Sequence, residues 1–205
     1  MRSYFWLERI GMGVRVEQQA RRDRMVMAAA TELFWVQGYA ATTIPEIAEK
    51  AGVAVGTVAK VGSKDELFLR AWEERSTEIS LHLLSQAGAT SESVTERVWS
   101  YLSLMLEATI LMSDTIRDYL VAYLRAGDHA ANLQRIDQVV GAIRALFPPD
   151  DRGEDSPAQL AALTLWLAYS SFVFSLAANS CDKDDARRLL RAVIEATCAP
   201  FEEKP

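Results

Sequence analysis

The chain has 205 residues, 50% apolar and 24% charged, enough for one large or two small domains with a true core. A formal net charge of −6 argues against generalised polyanion binding but leaves room for a local basic face. Cys181, Cys198, His82 and His129 are too few and too scattered for a disulfide framework, a zinc site or histidine catalysis, and no cofactor is expected.

The start, Met1 to Arg9, carries Tyr4, Phe5 and Trp6 but is interrupted by Glu8 and Arg9, and no apolar run of signal-peptide length follows. Residues 1–16 read as an N-terminal extension: a DNA-contacting arm, a tail, or sequence upstream of the true start. Arg21, Arg22 and Arg24 are read as lying just before the first helix. There they suit either phosphate contact or a solvated helix start.

Nearly every later segment reads as helix. Val26, Met27, Ala30, Leu33, Phe34 and Gln37 follow the three-to-four spacing of an amphipathic helix, and Gly38 stops it. Thr43-Ile44-Pro45-Glu46 is a capping box with proline in the first turn, opening a short helix to about Lys50. Ala51-Gly52-Val53 reads as a turn, and a second short helix covers roughly Val55 to Lys60. Gly62 breaks it, and Ser63-Lys64-Asp65-Glu66 is a second capping box before a long helix to about Leu84. Five further helices are predicted over 92–111, 114–126, 129–146, 157–179 and 183–198. The uncharged stretch Ser156 to Cys181 has the length of a membrane span. It contains Gln159, Thr164, Tyr169, Ser170, Ser171, Ser175 and Asn179, which favours a helix buried on most sides, in a core or between subunits, and no membrane partner.

Charge is uneven. Residues 1–66 hold 9 basic and 8 acidic side chains, whereas residues 67–205 carry a net −7. The informative segment is Ile44 to Val61. Small Ala48 lies four residues before Gly52, with Ile47, Val53 and Val58 apolar. Two helices crossing steeply need a small side chain where they touch and a turn residue tolerant of positive φ. The spacing therefore suits a helix-turn-helix whose second helix enters a DNA major groove. It also suits a plain helical hairpin with Gly52 as a C-cap. On the first reading Ala54, Val55, Gly56, Thr57 and Lys60 are exposed. Thr57 would bond a base edge or phosphate, Val55 would touch a thymine methyl, and Gly56 would permit close approach. Lys64, the amides opening the next helix, and Thr43 at another helix start would hold phosphates.

The stretch Val26 to Phe68 resembles the N-terminal domain of TetR-family transcriptional regulators. The matching residues are Ala29-Ala30, Leu33-Phe34, Gly38-Tyr39, Thr42-Thr43, Ile47-Ala48, Ala51-Gly52-Val53, Gly56-Thr57-Val58 and Ser63-Lys64-Asp65-Glu66-Leu67. One departure stands out. The family usually continues Gly-Thr-Leu-Tyr-x-His/Tyr-Phe-x-x-Lys, but the run Gly56 to Lys64 is one residue shorter, with Ala59 at the usual Tyr and no packing Phe. Ala54 also stands where a helix-capping Ser is common, and Lys60 is left to supply a backbone contact.

The resemblance implies an all-α fold of about nine helices. A three-helix DNA-binding domain (17–66) would precede a larger ligand-binding and dimerisation domain (67–205). It implies a cytoplasmic homodimer on a near-palindromic double-stranded operator, most simply a repressor released by a small apolar or amphipathic ligand. Trp99, Met105, Tyr119, Tyr123, Trp166 and Tyr169 are the ligand-contact candidates, large side chains with a few polar tips. Helices 157–179 and 183–198 would form a four-helix dimer interface. A helical enzyme is disfavoured because no nucleophile–base pair or phosphate loop is visible. A helical interaction protein with weakened or lost DNA binding is the alternative that the shortened Ala59–Gly62 segment supports.

Overall fold

The computed structural model describes residues 4–87, 93–126, 129–150, 153 and 156–202. Among these residues the regular structure is all helical: α1 (Tyr4–Ala41), α2 (Ile44–Ala51), α3 (Val55–Val61), α4 (Lys64–Ala87), α5 (Val94–Leu111), α6 (Ser113–Ala126), α7 (His129–Arg144), α8 (Pro157–Ala177) and α9 (Lys183–Cys198). A 3-10 turn, Ala199–Phe201, follows α9. The chain divides into two units. One comprises Met1–Trp72 with Ala122–Ala126, the other Glu73–Val121 with Gly127–Pro205.

The first unit is built from short helices stopped by local chemistry. Gly38 interrupts α1 with φ 85° and ψ 165°, a region that only glycine enters cheaply. Thr42, fully buried, returns its hydroxyl to the Gly38 carbonyl at 2.8 Å and so closes the end of α1. Both predicted capping boxes form. The Thr43 hydroxyl accepts from the Glu46 N–H, and the Glu46 carboxylate accepts from the Thr43 N–H at 2.8 Å. Ser63 and Glu66 repeat the exchange, with the Ser63 N–H 2.7 Å from Glu66 Oε2. Gly52 ends α2 in the left-handed region, φ 65° and ψ 35°, and its N–H reaches the Ala48 and Glu49 carbonyls. That turn lets α3 cross back so that Val58 is buried with Ile47, Ala48 and Ala51, and α3 also packs on α1. Fully burying Ile47 and Val58 contributes about 1.5–3 kcal/mol each.

One expectation is corrected. Arg21, Arg22 and Arg24 do not precede the first helix; α1 begins at Tyr4, so all three stand inside it. In the helical stretch opened by Pro157 one side is buried within the single chain. α8 buries Ala158, Ala161, Ala162, Leu165 and Tyr169, yet Leu160, Leu163, Leu167 and Phe174 remain exposed. Among the described residues α8 is the one helix long and apolar enough to cross a membrane, and the face just named as buried packs into a protein core.

The second unit has its own core, in which Val98, Tyr101, Leu102 and Leu106 of α5 meet Val140 and Ile143 of α7, Leu165 of α8, and Leu190 and Ile194 of α9. Ion pairs fix α9 on α5: Arg187 donates to both Glu107 oxygens at 2.6 and 2.8 Å, and Arg191 to Glu96 at 2.5 Å. Glu202, beyond α9, accepts from Ser93 Oγ at 2.9 Å and from the Thr95 N–H at 2.7 Å. A carboxylate at the opening turn of α5 complements the positive end of its dipole.

Candidate functional site

The helix-turn-helix presents α3 outward. Val58 is its one fully buried residue. Ala54, Val55, Gly56, Ala59 and Lys60 are exposed, Val55 at 49%, and Thr57 is half-buried. Lys60 makes no ion pair among the described residues, so its charge is available to a partner. Space around Gly56 is open, with nothing within 4 Å of where a Cβ would stand. The absent methyl therefore leaves room for something outside the chain, because no neighbour inside it needs that room. Ala54 occupies the α3 N-cap at φ −70° and ψ 148° and supplies no side-chain cap. The Thr57 N–H donates to the Ala54 carbonyl at 2.8 Å, and the turn lacks only the further side-chain acceptor that Ser or Asp would add.

The two expected phosphate positions are more engaged than their sequence suggests. Thr43 commits both its N–H and its hydroxyl to Glu46 Oε2, each at 2.8 Å. These bonds hold the Glu46 carboxyl below its ordinary value, the hydroxyl's contribution being the largest. Lys64 is half-buried; its Nζ lies 4.2 Å from the centre of the Tyr39 ring and 3.4 Å from the Ala40 carbonyl. The Tyr39 hydroxyl donates to Asp65. Burial, then this bond to Asp65, pushes the Tyr39 phenol up to about 12. Tyr39, Lys64 and Asp65 thus form one cluster where α1 ends and α4 begins. The sequence holds only a weak signal for it, an aromatic directly after the helix-stopping Gly38 and a charged pair inside a capping box. Lys50 pairs with Glu32 at 2.8 Å, joining the last turn of α2 to α1.

The ligand-contact candidates fall into separate places, Tyr123 in the first unit and the other five in the second. Met105, Trp166 and Tyr169 come together between α5 and α8. The Tyr169 hydroxyl lies 2.8 Å from Thr109 Oγ1 and 3.3 Å from the Met105 carbonyl, and the Trp166 and Tyr169 rings are 5.9 Å apart. Thr109, which sequence reasoning does not select, is the polar partner at this point. Trp99 stands elsewhere on α5, beneath the Arg191 guanidinium at 5.2 Å. Tyr119 is buried and Tyr123 half-buried on α6. Among the described residues no group of three or more His, Cys, Asp or Glu is placed to hold a metal ion.

Residues 26–71 match the family model described as bacterial regulatory proteins, tetR family. Over these residues the chain is similar in sequence to that family. The whole chain has the fold of TetR-family transcriptional regulators. It is similar to a TetR transcriptional regulator from Rhodococcus sp. RHA1 at 20% identity, with TM-score 0.57 over 91% of this chain and 99% of that one. A TetR-like transcriptional regulator, also from Rhodococcus sp. RHA1, is 22% identical, with TM-score 0.53 over 87% and 96%. A putative TetR-family regulator from Syntrophomonas wolfei str. Goettingen is 14% identical, with TM-score 0.57 over 87% and 95%. No curated protein matches the chain. The family match ends at residue 71, inside α4, so the TetR-type head is the part alike in sequence. The second unit is alike in fold alone.

Proposed function

We propose that the protein is a dimeric, ligand-responsive DNA-binding regulator of transcription, a repressor released by a small apolar or amphipathic molecule, acting in the cytoplasm and catalysing no reaction. The observation that carries this reading is the outward face of α3. One buried valine anchors the helix, while Val55, Gly56, Thr57 and Lys60 stand free of the core. A helix so held reaches the major groove with its first turn, where Thr57 bonds a base edge or phosphate, Val55 meets a thymine methyl and Gly56 lets the backbone close in. Ala54 belongs to the same surface. Lys60 supplies the nearest phosphate contact, and Thr43 and Lys64 flank it.

Dimerisation is supported by the exposed apolar side chains of α8 (Leu160, Leu163, Leu167 and Phe174) and by Leu189 of α9. Two such copies would offer two α3 helices to a near-palindromic operator. Met105, Trp166 and Tyr169 supply apolar surface with one hydroxyl for a ligand, and Trp99, Tyr119 and Tyr123 are the further candidates. Release requires that the ligand bind one spacing of the two heads more tightly than the other.

The test begins with selection of bound duplexes from a random-sequence pool. Thr57→Ala and Lys60→Ala are then titrated against the selected duplex at fixed salt. Thr57→Ala is expected to lose discrimination at one base position, by about 1–3 kcal/mol. Lys60→Ala is expected to weaken all duplexes alike and lower the log–log salt slope by about 0.9 per head. Unchanged affinity in both variants overturns the assigned face, and recovery of no duplex overturns DNA binding itself. The last result would favour an interaction protein whose bare α3 N-cap and missing aromatic contacts have cost it DNA.

A further inference from the structure

We infer that α3 reads its operator mainly through the 5-methyl groups of pyrimidines, with Ala59 as a second methyl contact beside Val55. The inference rests on the DNA-binding reading above and names the class of duplex that site selects: one carrying thymines, or 5-methylcytosines in their place, in each half-site.

The composition of the reading surface carries it. The run from Val53 to Gly62 holds no Arg, Asn, Gln, Asp, Glu, His or aromatic residue. Guanine is read by Arg or Lys, adenine by Asn or Gln, and the cytosine amino group by Asp or Glu. Of these readers α3 offers Lys60 alone, and its flexible stem and point charge suit a phosphate, which carries no sequence.

Helix geometry places what remains. Gly56 and Lys60 each stand two residues from the buried Val58 and so lie opposite the core. Val55 and Ala59, four residues apart, share one flank, and Thr57 lies on the other. Val55 and Ala59 are both exposed, so α3 presents a short apolar strip beside its outermost line. The thymine methyl is the apolar group that a base pair presents in the major groove. Such a strip spans about 5–6 Å between Cβ atoms, one to two base steps of about 3.4 Å. Valine and alanine are short and touch a methyl only if the helix backbone comes close. Bare Gly56, with open space where a Cβ would stand, and small Ala54 permit that approach. A large ring at position 59 would hold the helix off.

The experiment uses the full chain and the duplex selected from the random-sequence pool. Each thymine of a half-site is replaced in turn by deoxyuridine, which removes the methyl and leaves every hydrogen-bonding group. Binding is followed by fluorescence anisotropy at fixed salt. Replacement is expected to weaken binding roughly fourfold at each methyl that α3 covers, and nowhere else. Val55→Ala and Ala59→Gly should each abolish the thymine–uracil difference at its own position. That ratio is taken within one protein, so a lower folded fraction in the Gly variant cancels. At the same positions a 5-methylcytosine–guanine pair should bind more tightly than a cytosine–guanine pair by a similar factor. If uracil equals thymine throughout the recovered duplex, or that duplex holds no thymine, methyl reading is wrong while DNA binding stands. A uracil effect unchanged in both variants also overturns it, because the methyls would then be touched by other residues. Equal binding of methylated and unmethylated cytosine overturns it too, because hydrogen-bonding groups of the base pair would be what is read. If no duplex is recovered, the DNA-binding reading fails first and this inference falls with it.

Discussion

The Tyr39 hydroxyl donates to the Asp65 carboxylate, binding the end of α1 to the first turn of α4 across 26 positions of sequence. Both ends are therefore held to one another by a side-chain bond as well as by the Tyr39–Phe68 and Phe34–Phe68 ring contacts at 4.7 and 5.1 Å. Tyr39→Phe keeps the ring contacts and removes the bond. The expected cost is about 1–2 kcal/mol in urea unfolding, since hydrogen bonds to charged groups are among the stronger ones. The phenol's raised value sets the alkaline behaviour. An acid whose proton is held more tightly in the folded state stabilises below its unfolded value and loses that stabilisation as pH rises. The unaltered protein should therefore lose stability as pH rises from about 10 towards about 12, and the Phe variant should lose less over that range. An ultraviolet titration of the phenol in both proteins checks the assignment.

On the acid side the Thr43–Glu46 box decides. Hydrogen bonds from Thr43 lower the Glu46 carboxyl, so the folded state favours its ionised form. That stabilisation is complete above the unfolded value and disappears as pH falls through the folded one. Thr43→Ala is expected to cost about 1 kcal/mol at neutral pH, the usual worth of an N-cap. The difference between the variant and the unaltered protein should shrink as the carboxylate protonates. Equal stabilities at neutral pH would show that the box contributes nothing to the head.

Ala54 and Gly56 offer a separation of folding from binding. Ala54→Ser supplies the acceptor that the α3 N-cap lacks and is expected to stabilise the head by about 1 kcal/mol. Gly56→Ala meets open space in the chain itself, so it should be neutral or stabilising by up to about 1 kcal/mol through helix propensity. The same methyl would obstruct a duplex approaching α3. The expected pattern is thermal stability unchanged or raised with affinity for the selected duplex lowered. Loss of stability with affinity intact would mean that Gly56 serves the fold and not the interface.

Much of this architecture is legible from the chain because its punctuation is local. Gly38, Gly52, Pro157 and the two hydroxyl–Glu boxes each stop or start a helix by chemistry confined to four or five residues. The predicted helix limits accordingly fall within a few residues of those observed, with α9 spanning Lys183–Cys198 as expected. The start of α1 is not legible, because the extension shows no clean apolar stripe and Ser3 alone, directly before Tyr4, is no more than a generic capping residue. What periodicity does not contain is which helices meet. Thr109 and Tyr169 bond across 60 positions, and Glu202 reaches Ser93 across 109. Lys64 reads as a free cation in sequence; its place over Tyr39 follows from how α1 and α4 pack. The outward turn of α3 is legible for the opposite reason. Val58 sits where a helix after a left-handed Gly52 must touch its predecessor, and Val55, Gly56, Ala59 and Lys60 are left outside.

The Thr109–Tyr169 pair gives a test of the second unit's interior. Both hydroxyls are buried, and each also reaches the Met105 carbonyl, Thr109 at 3.0 Å and Tyr169 at 3.3 Å. Thr109→Val removes the Thr109–Tyr169 hydrogen bond, while the Tyr169 hydroxyl keeps the Met105 carbonyl as acceptor, and should cost about 0.5–1.5 kcal/mol. Tyr169→Phe removes the other half of the same bond, so the double variant should be more stable than the sum of the two single changes predicts. A double-mutant cycle with no coupling would mean that the two hydroxyls do not share a bond in solution.

The α8 face supplies the last prediction. Leu160, Leu163, Leu167 and Phe174 recur at intervals of three, four and seven, the spacing by which one helix presents a seam to another. Leu167 is 60% exposed and Phe174 50%, so neither is needed to fill the chain's own core. In a two-fold dimer each substitution acts twice. Leu167→Glu combined with Phe174→Glu therefore removes four apolar side chains from the seam and sets like charges against one another. At even about 1 kcal/mol per side chain the dissociation constant rises roughly a thousandfold. Sedimentation velocity should show the unaltered chain as a dimer at micromolar concentration and the double variant as a monomer. Far-ultraviolet circular dichroism should be the same for both, because the exposed face does not hold α8 in place. A monomeric unaltered chain would remove the dimer from the proposed mechanism. A variant that stays dimeric would move the interface off α8. In either case two α3 helices could no longer be aligned on one operator through this seam.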